Sequence, residues 1–170
     1  MTKSLLPLML LLAVSTSRAA GPMPSELTQQ HCRSIFPSAN STEMIRTLES
    51  GVQFTEAWEH NSWGPPEEFL GYVFHKSLQY EGKTLEVLVG MNNTGVISKV
   101  SVRGMAGITD EFLAQYRGKT LRDNFDLVRT PEELLVVPAG IKAMQANLAL
   151  SESIAQSVKE IIVSANKVVK

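Results

Sequence analysis

The sequence has one cysteine, Cys32, and three histidines, His31, His60 and His75. A lone cysteine excludes an internal disulfide. Without paired cysteines or an H-E-x-x-H run, there is no pattern for a zinc cage. Without C-x-x-C-H there is no covalent haem site. Charge of one sign is also scarce. The 16 basic and 17 acidic residues are dispersed, with no basic block and no basic helix face. That excludes nucleic acid and a polybasic membrane contact as partners. No nucleophile and base stand at a readable spacing, so no hydrolase or transferase signature is present. No apolar run reaches the ~20 residues of a membrane span.

The longest apolar run is Leu5–Val14. Lys3 precedes it and Ser17-Arg18-Ala19 follows it, which is the order of a secretory signal peptide. The expectation is a cleaved leader over 1–19 and a periplasmic or secreted protein. Cleavage after Ala19 leaves 151 of the 170 residues, one domain by length. The leader takes Lys3 and Arg18 with it, so the mature chain has 14 basic residues against 17 acidic and a net charge of −3. An N-terminal segment with a short helix over 20–50 then leads into a domain over 51–170. Cys32 reads as an inert thiol, because reactive thiols need an electropositive setting.

Within 20–50, Met44, Ile45 and Leu48 fall on one face of a short helix over 38–49, stopped by Gly51. Val52 and Phe54 begin a strand. The stretch FLGYVFHKSL (69–78) is apolar and aromatic, as strands are. TLEVLVGM (84–91) alternates, with Leu85, Val87 and Val89 on one face and Glu86, Leu88 and Gly90 on the other. NNTG (92–95) is a turn and VISKVSVRG (96–104) alternates again. Three strands with tight turns predict an antiparallel meander, one face of which a helix must cover. Thr109-Asp110-Glu111 opens a helix ending near Gly118, and Thr130-Pro131-Glu132 opens another. From Met144 to Ala165 the apolar residues keep helical spacing, as one amphipathic helix or as two joined near Leu150-Ser151. The class is α+β.

Several of these pieces resemble the exported FMN-binding domain, known as the flavin-carrying periplasmic subunit of the Rnf and Na⁺-pumping NADH:quinone reductase complexes. The likeness rests on Gly71-Tyr72-Val73-Phe74, on Leu85 to Asn92, on Gly95-Val96-Ile97-Ser98-Lys99-Val100 and on Phe112 to Lys119. The last of these matches a helix reading F-x-x-Q-[FY]-x-G-K. The match spans about 69–163. It implies an antiparallel sheet with flanking helices, FMN as cofactor, and electron transfer with a membrane or haem partner.

The family's S-G-A-T-x-[ST]-[ST] motif, whose threonine carries FMN covalently, falls on 145–151. Leu148 stands at the threonine, or Ala149 in a register one residue later. Neither has a hydroxyl, so a phosphoester by that route is excluded and any flavin is held non-covalently. Arg103 to Thr109 departs from the family's E-T-P-G-L-G segment. The resemblance leaves Asn147, Ser151 and Ser153 at the last helix entrance to meet a phosphate, and Met105 to pack on the flavin ring. The plain use of Ser151 is to cap the helix. Two functions follow: a non-covalent flavin carrier, or a degenerate FMN-binding-like module without flavin that acts as a binding or assembly protein.

Overall fold

A computed structural model describes residues 27–64 and 67–169. The leader expected over 1–19 lies outside them. Helix α1 (Gln29–Ile35) is followed by two short strands, β1 (Ser41–Thr42) and β2 (Arg46–Thr47). Then come β3 (Gln53–Glu59), β4 (Glu68–Tyr80), β5 (Lys83–Met91) and β6 (Ile97–Arg103). Helix α2 (Asp110–Ala114), strand β7 (Leu127–Val128), a 3-10 turn (Glu132–Leu135), strand β8 (Ile141–Lys142) and helix α3 (Leu148–Ala165) complete the chain. The main sheet is antiparallel, ordered β1-β3-β4-β5-β6, with β2 also on β3. The meander expected from alternation is present, and the class is α+β.

Turn chemistry sets the register. Glu81 and Gly82, between β4 and β5, both have positive φ (48° and 74°), the two-residue hairpin that matches strand twist. At the next turn Asn92 Oδ1 accepts from Thr94 N–H at 3.0 Å and from Val96 N–H at 2.9 Å. On the front face Phe54, Phe74, Leu85, Val87, Val89 and Val100 form the main core. Helix α3 covers them with Leu150, Ile154, Val158 and Ile161. Burying each such side chain contributes about 1.5–3 kcal/mol, which holds α3 to the sheet far more firmly than propensity does. Lys76 on β4 pairs with Glu160 on the helix.

The back face has a second core. Leu88, Val73 and Ala57 meet Leu27, Cys32 and Ile35 from α1 and the residues just before it. The helix comes close because β5 offers Gly90 there: a Cβ at that position would sit 2.0 Å from Ile35 Cγ2. Burial pushes the Cys32 thiol up to about 11, so it is unreactive while α1 is docked.

Three expectations change. Residues 38–49 form no helix: β1 and β2 pair with β3 instead, and Met44 is 78% exposed. The apolar spacing there matched a helix but had no core to face. The start at Thr130-Pro131 yields a single 3-10 turn, leaving Leu135 87% exposed. Finally, α3 begins at Leu148, and Met144 lies before it, at the start of a turn closed by Asn147 N–H donating to Met144 O at 3.1 Å. Among the described residues no helix is long and apolar enough to cross a membrane.

Candidate functional site

Helix α2 starts where the sequence expects. Thr109 Oγ1 accepts from Phe112 N–H at 3.3 Å, with Asp110 and Glu111 in the positive first turn. Its Phe112 is buried in the main core. Gln115, one turn on, makes a two-point clamp: its Nε2 donates to Lys142 O at 3.0 Å and its Oε1 accepts from Lys142 N–H at 2.8 Å. An amide side chain can satisfy a backbone donor and acceptor together in this way. The glutamine of the F-x-x-Q stretch therefore fixes the segment that leads into α3.

That segment is pinned along its length. Strands β7 and β8 pair in parallel, Val128 opposite Lys142, and Ala143 N–H donates to Val128 O at 2.8 Å. Gln145 Nε2 donates to Arg129 O at 2.9 Å. Met144 N–H donates to Ser151 Oγ at 2.9 Å. Between this wall, α2 and the loop at Gly107 lies a cavity of about 600 Å³. Pockets for ligands of cofactor size run to roughly 300–1,000 Å³. Phe112, Val128, Leu134 and Met144 give it apolar surface, and Arg129, Lys142 and Glu111 give it charge. Arg129 is paired with Glu152 at 2.6 Å, whereas Lys142 has no ion-pair partner among the described residues.

Of the four residues singled out from sequence, Asn147, Ser151, Ser153 and Met105, none lines this cavity. Asn147 caps α3: its Oδ1 accepts from Leu150 N–H at 2.9 Å and from the Tyr80 hydroxyl at 3.1 Å. Ser151 lies one turn inside the helix, fully buried, and its hydroxyl donates to Asn147 O at 2.9 Å besides accepting from Met144. The cap is thus Asn147 and not Ser151. Ser153 Oγ donates to Ala149 O at 3.0 Å. Met105 is partly buried against the main core. Leu148, which the resemblance sets at the threonine of the motif, is 41% exposed at the helix entrance.

Sequence reasoning missed Arg129, Lys142 and the clamp by Gln115. The only signal for them was Gln115 itself, inside the quoted F-x-x-Q stretch; Lys142 and Arg129 belong to no motif. Tyr116, next to Gln115, is fully buried between Phe112 and Phe125. Its hydroxyl makes no hydrogen bond among the described residues, and burial raises its pKa above the ordinary value. No family model matches this chain, and no curated protein matches it.

Proposed function

We propose that the cavity binds FMN without a covalent bond and that the protein is an exported electron-carrying flavoprotein with a membrane-bound or haem redox partner. One observation carries this reading. Two stretches that lie within the resemblance, the loop and helix from Gly107 to Gln115 and the run from Lys142 to Ala146 before α3, are far apart in sequence and line the same cavity. The residues fit the group chemically. Phe112 and Met144 offer an apolar wall for a ring system, and Lys142, with Arg129 beside it, offers positive charge for a phosphate. FMN, when bound, supplies the redox chemistry; the protein supplies orientation and charge. Leu148 excludes attachment through the family's phosphoester, so denatured and desalted protein should have the mass of the bare chain.

A second reading has its own support. The Ser151 hydroxyl is spent inside the fold and Leu148 replaces the acceptor threonine. A module that kept the scaffold and lost the flavin, acting in binding or assembly, accounts for both. Titration with FMN and with riboflavin, followed by flavin fluorescence, separates the readings. A flavin carrier binds FMN saturably at micromolar concentration. Replacing Lys142 by Met then weakens FMN roughly tenfold and leaves riboflavin, which lacks the phosphate, unchanged. The absence of saturable FMN binding supports the module without flavin.

A further inference from the structure

Among the described residues, three charged side chains line the cavity: Arg129 and Lys142 against Glu111. The charge of Arg129 is already engaged. Its Nη2 donates to Glu152 Oε1 at 2.6 Å. Glu152 lies on α3, one turn past Leu148, and does not line the cavity. The pair thus ties a residue of the cavity wall to a carboxylate outside it.

The main chain around Arg129 is fixed. Val128 O accepts from Ala143 N–H at 2.8 Å, Glu133 Oε2 accepts from Arg129 N–H at 2.6 Å, and Arg129 O accepts from Gln145 Nε2 at 2.9 Å. The side chain is held only at its tip. A guanidinium has five N–H donors, and one of them is used among the described residues. The side chains of Arg129 and Glu152 are 47% and 60% exposed, so their bond is of the weak, solvent-screened kind. A fixed main chain and a tip held by one exposed bond let the guanidinium change partner by rotamer alone.

A phosphate monoester suits that guanidinium better than a carboxylate does. It has close to two negative charges at neutral pH and three acceptor oxygens, which the planar fork of arginine can meet two at a time. While Glu152 holds Arg129, the wall offers Lys142 against Glu111 and little net charge. With Arg129 released, positive charge is in excess.

We propose, on the reading of the cavity as a flavin site, that Arg129 recognises the flavin phosphate and that Glu152 competes for it, so that this pair sets how far the site prefers FMN to riboflavin. Glu152 is then a positioning residue, which acts on the ligand through Arg129.

The test is a titration of the protein with FMN and with riboflavin at one ionic strength, followed by flavin fluorescence. The readout is the riboflavin Kd divided by the FMN Kd. Glu152→Gln keeps the shape and a neutral acceptor and drops the charge. It should raise the ratio about threefold, the size of an exposed ion pair. Arg129→Gln should lower it roughly tenfold, the size of one charge-assisted bond. With Arg129→Gln already present, the gain from Glu152→Gln should vanish, because the two residues act as one unit. A loosened wall would weaken both flavins together and leave the ratio where it was. A ratio unmoved by either single change therefore overturns the proposal, while saturable FMN binding keeps the flavin reading. An equal gain from Glu152→Gln in the Arg129→Gln background overturns it too, since Glu152 would then repel the phosphate directly. Absence of saturable binding of either flavin by wild type overturns the flavin reading and the proposal together.

Discussion

Replacing Ser151 by Ala separates two uses of one hydroxyl. As a helix cap near the surface, such a side chain is worth about 1 kcal/mol. Here it is fully buried and bridges two segments: Met144 N–H donates to it at 2.9 Å, and it donates to Asn147 O at 2.9 Å. Without it the buried Met144 amide loses its partner, a cost of about 1–3 kcal/mol. Asn147 O keeps its helical bond from Ser151 N–H at 3.1 Å, so its share is smaller, about 0.5–1 kcal/mol. The total is about 1.5–4 kcal/mol, or a fall in Tm of roughly 3–16 °C for a chain of this size. Met144 is a wall of the cavity, so FMN and riboflavin should weaken together. Urea and thermal unfolding of wild type and variant measure the first effect, and paired flavin titrations the second. A loss below about 1 kcal/mol would refute the bridge. A selective loss of FMN would return Ser151 to the phosphate.

Gln115→Ala removes both clamps on Lys142. It should cost about 1 kcal/mol of stability, because the bonds are exposed, and weaken both flavins by loosening the wall; unchanged flavin affinity would show the clamp irrelevant to the cavity. Tyr116→Phe removes a buried hydroxyl without a hydrogen-bond partner among the described residues. It should leave stability unchanged or raise it by about 1 kcal/mol, and a clear loss in urea would reveal a bond to the hydroxyl. Gly90→Ala forces Ile35 aside and should cost about 1–3 kcal/mol. Hydrogen exchange should then rise in 27–36 while flavin titrations stay as in wild type. The mature protein from its host should begin near Ala20, and an intact Met1 on soluble protein would sink the export expectation.

The middle of the sheet was legible because its signals were local. Alternation over 84–91 fixed which side chains of β5 face the core. The turns at 81–82 and 92–95 carried their own chemistry in Gly82, Asn92 and Gly95. Thr109 marked the start of α2 for the same reason. The misread segments were those whose outcome depends on distant partners. Arg46 and Thr47 become a strand only because Phe54 and Gln53 offer an edge. The helix over 29–35 has no strong periodic stripe and exists by docking on Gly90 and Leu88. The site was half legible. Resemblance led to the entrance of α3 and to the F-x-x-Q helix. It gave no access to Lys142 and Arg129, which are brought to the cavity by the parallel pairing of β7 with β8. Ser151 was visible as a residue, but its burial, which decides its role, arises from packing across the whole front core.

The most direct measurement is a titration of the uniformly ¹⁵N-labelled protein with FMN, followed amide by amide in two-dimensional NMR spectra. Binding in the cavity predicts saturable shift changes at Gly107, Gln115, Lys142, Met144 and Ala146. Thr55 and His75, on the far side of the sheet, should stay still. Spectra unaltered by FMN, or changes confined to residues away from the loop at 107, α2 and the 142–146 wall, would contradict it.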